Sequence, residues 1–229
     1  MSAAASLDAS ARTPTRRERY GLLLIAISIS FWVQGVASPG RWEQVFVSIL
    51  LGVTLLLALW AGGVKPWVMR VSAAIVAIVI VLSLLEALAG TVNGGAIRAA
   101  NALLVALAPP AVIVGVVRSL RTREAVTVEA VFGVLCVYIL LGMLFSFVYG
   151  SIDRLGGHPF FAGGQAATVS ECLYFSFTCL TTIGFGDLTA RTDLGHTLSV
   201  FEGLLGQIYL VTVVSLIVAN LGRARPAAR

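Results

Sequence analysis

The sequence predicts an all-α membrane protein with six transmembrane helices and a short re-entrant helix and loop between the fifth and sixth. Three observations predict it. Hydrophobic residues make up 58% of the 229 and charged residues only 12%, against about 45–50% and 25% in soluble domains. The few charges gather between apolar blocks of about 20 residues, the length that crosses a bilayer core. One further helical stretch is too short to cross and runs into an alternation of glycines, Gly184-Phe185-Gly186. In this setting the net charge of +5 reflects basic residues at the cytoplasmic ends of helices rather than a nucleic-acid footprint. No nucleic-acid partner is expected. Cys136, Cys172 and Cys179 fall inside apolar segments without zinc-ligand spacing and read as small buried hydrophobes.

Residues 1–19 are rich in Ala, Ser and Arg without an apolar period and read as a disordered basic cytoplasmic tail. Tyr20 to Ala37 is the first apolar run, whose basic start and small-residue end also resemble a secretory signal peptide. Ser38-Pro39-Gly40 breaks it. The second helix, Trp42 to Ala61, has Trp42 and Trp60 at its ends as interfacial anchors. Gly62 to Pro66 is a turn, and Trp67 to Ala89 the third helix. The fourth, Ala96 to Val117, contains Pro109-Pro110, where the ladder must be interrupted and a kink is expected. Residues 20–118 thus form a four-helix transmembrane domain, joined by a cytoplasmic linker (119–125) to a second unit (126–222) and a short basic tail (223–229). In that unit Val126 to Tyr149 is the fifth helix and Gly150 to Ala167 a Gly-rich loop. Thr168-Val169-Ser170-Glu171 fits a capping box that starts a helix running to Thr181. That helix is roughly 20 Å long and cannot span. A polar hairpin, Leu188 to Asp193, leads into the sixth spanning helix, Leu194 to Leu221.

Orientation follows from the basic residues. With the N-terminus inside, Arg12, Arg16, Arg17, Arg19, Lys65, Arg70, Arg118, Arg121, Arg123, Arg223, Arg225 and Arg229 are cytoplasmic, and only Arg41, Arg98, Arg154 and Arg191 are outside. The bias places both termini in the cytoplasm of a multi-pass protein of the cell membrane.

The stretch Thr178 to Asp187 reads T-C-L-T-T-I-G-F-G-D. Glycine at every second position, Gly184 and Gly186, permits left-handed conformations closed to other residues. A chain that alternates hands can aim successive carbonyls the same way. Several copies around an axis would then stack rings of oxygen able to replace the water around a cation. Thr182-Ile183-Gly184-Phe185-Gly186-Asp187 resembles the selectivity filter of potassium channels, whose more frequent form is T-V-G-Y-G-D. Ile for Val and Phe for Tyr keep the backbone pattern and remove one phenol hydroxyl. The resemblance covers about Val126 to Gly222 and is to the bacterial-type, six-transmembrane, one-pore potassium channels. The four leading helices match that order, yet the fourth carries Arg98 and Arg118 only at its ends, without the repeating arginines of a voltage sensor.

That resemblance implies a potassium-selective channel: a homotetramer among membrane lipids, with K+ as permeant ion and no enzymatic activity. It implies a K+ filter of Thr182, Ile183, Gly184, Phe185 and Gly186, with Asp187 at the outer mouth. The pore helix would carry Tyr174, Phe175, Thr178 and Thr181, with Tyr174, Phe175 and Phe177 resembling an aromatic cuff. Thr178 stands where some relatives carry Glu, and Ala190 where most carry Pro. Gly206 occupies the place of a hinge glycine, with Gly203 nearby. Stepping by four from Gly206 gives Leu210, Val214 and Val218, an apolar cavity lining if that stripe faces the axis. Glu202, an acid within an apolar helix, is functional by default, with Ser176 or Thr178 as expected partners; Glu86 is expected to snorkel toward Arg98.

Two other readings use the same residues. G-x-G-D occurs in intramembrane aspartyl proteases, but their chemistry needs a second aspartate in the bilayer, and Asp8, Asp153 and Asp193 all lie outside apolar runs. A potassium transporter subunit built on the same pore module is the nearer alternative; those chains carry four degenerate filters, and this one has a single intact filter.

Overall fold

Helix signals written into single turns decide most of the architecture. The computed structural model describes residues 16–36, 42–90, 94–122 and 128–221, with side chains described for 19–36, 42–90, 95–115, 130–213 and 215. These residues form α1 (Arg16–Val36), α2 (Glu43–Gly62), α3 (Pro66–Ala89), α4 (Gly94–Thr122), α5 (Val128–Leu155), α6 (Val169–Leu180) and α7 (Asp193–Leu221). Gly63 ends α2 in the left-handed conformation at φ 64°, its N–H returning to Leu59 and Trp60 carbonyls. Pro66 then opens α3 at a position where its missing N–H costs nothing.

Among the described residues, five helical stretches are long and apolar enough to cross a membrane: Arg19–Val36, Glu43–Gly62, Pro66–Ala89, Gly95–Gly115 and Ala130–Leu155. α7 has 29 residues, about 44 Å at 1.5 Å per residue. α6 has 12, about 18 Å, and falls well short of a bilayer core of about 30 Å.

Three boundaries differ from expectation. α1 begins at Arg16, so residues expected in the tail already belong to its first turn. α5 runs past Tyr149 to Leu155, taking Asp153 and Arg154 out of the loop. α4 continues through Pro109 and Pro110 to Thr122, because packed neighbouring helices tolerate the broken ladder. Residues 1–15, the connector at 123–127 and the tail at 222–229 lie outside the described residues.

The leading helices share one core with α5. Leu23 and Ile27 of α1, Leu51 and Leu55 of α2, Leu104 and Ala108 of α4, and Leu140 and Met143 of α5 are all buried in it. α2 and α4 meet at small residues. A Cβ on Gly62 would overlap the Ala111 carbonyl, and one on Gly115 would lie 2.9 Å from Gly62 Cα, so the backbones touch as small residues allow within membranes. Polar side chains also bond across this bundle: Ser48 Oγ is 2.8 Å from Ser83 Oγ and donates to Asn101 Oδ1 at 3.0 Å. A second cluster, of Phe145, Tyr149, Phe160, Phe161, Ala167, Cys172, Phe175 and Ala190, takes in the N-terminal half of α6.

Candidate functional site

The short helix is defined at both ends by its own side chains and by the loop that follows it. At its start the capping box forms: Glu171 N–H donates to Thr168 Oγ1 at 3.1 Å, and Thr168 N–H donates to Glu171 Oε2 at 2.8 Å. At its end four carbonyls need partners from outside the helix, and each has one. Phe177 O accepts from Thr181 N at 3.0 Å, Thr178 O from Gly184 N at 3.1 Å and Cys179 O from Thr182 N at 3.0 Å. Leu180 O accepts from the Tyr138 hydroxyl of α5 at 3.3 Å.

These bonds orient the loop. In a trans peptide the N–H and the preceding C=O point in opposite directions, and the described residues contain no cis peptide. Thr182 and Gly184 direct their N–H groups into α6, so the carbonyls of Thr181 and Ile183 point away from it. The backbone alternates hand over the same residues: φ is 58° at Thr182, 53° at Gly184 and 82° at Gly186. The glycines adopt this region freely. Thr182 does not, since a β-branched residue there is an outlier that persists only where the surroundings hold it. The alternation therefore begins one step earlier than the glycines alone indicate. Ile183 and Phe185, between the left-handed positions, are 58% and 68% exposed, and the whole run from Thr182 to Asp187 lies open on the surface of the single chain.

The three aromatic residues of α6 point three ways. Tyr174 stacks on Phe185, with centroids 6.1 Å apart and planes at 6°, and donates its hydroxyl to Asp187 Oδ1 at 3.1 Å. It thus holds both the Phe185 ring and the carboxylate after the second glycine. Phe175 packs edge-on against Tyr149, Phe160 and Phe161. Phe177 turns to α1, meeting Phe31 at 4.9 Å. Thr178 and Thr181 spend their hydroxyls on the helix itself, donating to Phe175 O at 2.8 Å and Phe177 O at 2.6 Å.

α7 packs on the end of α6. A Cβ on Gly206 would overlap the Leu180 carbonyl oxygen, and one on Gly203 would lie 3.4 Å from Cys179 O. Gly206 is thus the point where two backbones meet. Its neighbour Gln207 reaches the loop, where Nε2 donates to Thr182 Oγ1 at 3.2 Å. Leu210 is exposed, whereas Val214 and Val218 lie outside the described side chains. Glu202 is fully buried. It accepts from Tyr149 of α5 at 2.6 Å and from Ser176 of α6 at 2.5 Å, while Thr178, the other expected partner, bonds elsewhere. Ser176 Oγ also lies 2.6 Å from Gly142 O, so one buried network joins α5, α6 and α7.

Arg98, expected at the outer end of the fourth helix, is 5% exposed, with Nη1 donating to Ala167 O at 3.1 Å. A Cβ on Gly150 would lie 2.8 Å from that nitrogen. Ala167 immediately precedes the cap of α6, so α4 grips the segment that launches the short helix. α1 does the same from another side: Ser170 donates to Gly35 O at 2.8 Å. Tyr138, Tyr149, Gln207 and Arg98 were not singled out as contacts of this region; polar residues in apolar helices are the only signal that marks them. Asp153, buried at the end of α5, accepts from Phe160 N at 2.9 Å, and Asp187 is bonded by Tyr174. Each carboxylate thus has a separate structural partner, which disfavours a protease dyad.

Residues 133–223 match the model of a family described as "Ion channel". The matched segment takes in α5 from Gly133, the short helix, the alternating loop and all of α7. No curated protein matches the chain. With five helices able to cross a membrane, the chain is a multi-pass membrane protein, and the match supports an ion channel rather than an enzyme.

Proposed function

We propose that this chain is one subunit of a potassium-selective channel, a homotetramer that conducts K+ passively through a carbonyl-lined filter. The observation that supports it best is the backbone of Thr182 to Gly186. Positive φ recurs at every second residue, while N–H groups at 182 and 184 are tied back into α6. Carbonyls turned from the helix are then available as ligands, and oxygen is the atom a dehydrated alkali cation requires. One chain supplies one wall only. The openness of that wall fits a ring in which each copy contributes Thr182, Ile183, Gly184, Phe185 and Gly186, with Asp187 at the outer mouth.

In this reading α6 and the loop are re-entrant, and α7 is the sixth spanning helix. Irregular backbone at membrane depth is tolerated only where protein buries it or water lines it, which a tetrameric pore provides. The C-terminal end of α6 faces the membrane centre, where its dipole favours a cation. Both termini are cytoplasmic on the basic-residue bias, and the membrane is the cell membrane.

The test is flux from liposomes reconstituted with purified full-length protein, with K+ or Na+ as sole permeant cation. Selective K+ flux from tetramers is expected. Equal K+ and Na+ permeability, or conduction by a monomer, refutes the proposal.

A further inference from the structure

We infer that Gln207 is a polar element of the ion path, fixing the Thr182 hydroxyl and offering its own carboxamide oxygen to the cation at the inner end of the filter. This rests on the channel reading and names a residue that the filter motif does not contain.

The argument starts from hydrogen-bond accounting at Thr182. Its hydroxyl donates to Thr181 O at 2.7 Å, so its single proton is directed into the backbone. It accepts from Gln207 Nε2 at 3.2 Å. A hydroxyl oxygen has two acceptor sites, so one remains for a cation. Two bonds therefore set the direction in which that oxygen is presented, at a residue whose backbone already sits at φ 58°. Gln207 itself is exposed. Among the described residues its Oε1 has no hydrogen-bond partner, so each amide keeps an unused acceptor beside the filter.

Packing fixes the reach. Gly206 lets the α7 backbone touch the Leu180 carbonyl, which sets the rotation and depth of α7 one residue before the glutamine. Tyr209 reinforces this by donating to Val134 O of α5 at 2.7 Å. Gln207 is thus held beneath Thr182 by contacts on both sides of it in sequence. Repeated in each subunit, the amides make a polar ring where a stripe through Gly206 and Leu210 alone reads as apolar, so a hydrated ion finds acceptors before it enters the filter.

Two variants of the full-length channel test this by single-channel recording. Gln207→Leu removes both amide roles at similar size, and K+ conductance should fall two- to fivefold in intact tetramers. Gln207→Glu keeps the shape and places a ring of carboxylates in the path, so block by Mg2+ from the cytoplasmic side should strengthen at least tenfold. Should the Leu variant fail to assemble, the near-isosteric Glu variant decides alone. Conducting tetramers with unchanged conductance and unchanged Mg2+ block overturn the inference while leaving the channel reading intact. Absence of selective K+ current in the unmodified protein instead refutes the channel reading itself.

Discussion

Gly184→Ala tests the alternating backbone most directly, because the structure isolates its cost. An ideal Cβ on Gly184 meets no heavy atom within 4 Å, so within a chain the substitution creates no clash. What remains is the left-handed backbone at φ 53°, which penalises an L-residue by about 1–2 kcal/mol. For each chain this reduces the preference for the alternating conformation by a factor of about 5–30. In a ring of four the cost becomes about 4–8 kcal/mol on the same scale, on the order of a thousandfold to a millionfold, since about 1.4 kcal/mol is a factor of ten. Thr182 already holds a β-branched side chain at φ 58°, so a second strained residue two positions on has little to relax into. The assay is K+ and Na+ flux from liposomes, with tetramer content checked by size exclusion. Selective K+ flux should be lost. Gly184→Asn should be milder, because Asn visits this region more readily. Gly163→Ala, where neither a neighbour within 4 Å nor a positive φ is found, should behave as the unmodified protein. A Gly184→Ala channel with unchanged selectivity would refute the reasoning.

Three further outcomes are expected. Gly206→Ala should lower the thermal stability of the assembly by about 1–3 kcal/mol through overpacking against Leu180 O; altered gating with unchanged melting would instead favour Gly206 as a hinge. Glu202→Gln can donate to Ser176 and accept from Tyr149, and should leave melting nearly unchanged. Glu202→Ala removes the acceptor of the buried Tyr149 hydroxyl, while Ser176 keeps Gly142 O, and should cost about 1–3 kcal/mol; equal melting of the two variants would show that the network does not stabilise the fold. Open probability should vary gently with voltage, because Arg98 is tied to Ala167 O and no other charge lies between Ile97 and Val117 of α4. Recording between about −100 and +100 mV spans about 4.6 kcal/mol per charge, and a gating charge of roughly six or more per tetramer would contradict this.

What the sequence determined by itself was local. Apolar length marks the spans, and Thr168 with Glu171 marks the start of α6, because a cap is settled within four residues. Gly184 and Gly186 mark the left-handed positions, because φ belongs to single residues. Tertiary structure decided what depends on how one helix is rotated against another. α7 is apolar almost all round, and such a helix carries no stripe to say which face is inward. Only its packing shows that Gly206 meets Leu180 O, that Gln207 meets Thr182, and that Glu202 lies between Tyr149 and Ser176. The Ala167 partner of Arg98 was not legible for the same reason: a lone arginine near a helix end can reach water equally well. A carbonyl 69 residues along the chain draws it inward, since in a dry interior a buried guanidinium must find an acceptor. The left-handed Thr182 follows the same logic, for nothing in a threonine favours φ 58°. The strain is imposed by the end of α6, whose unpaired carbonyls take up the N–H groups of the loop.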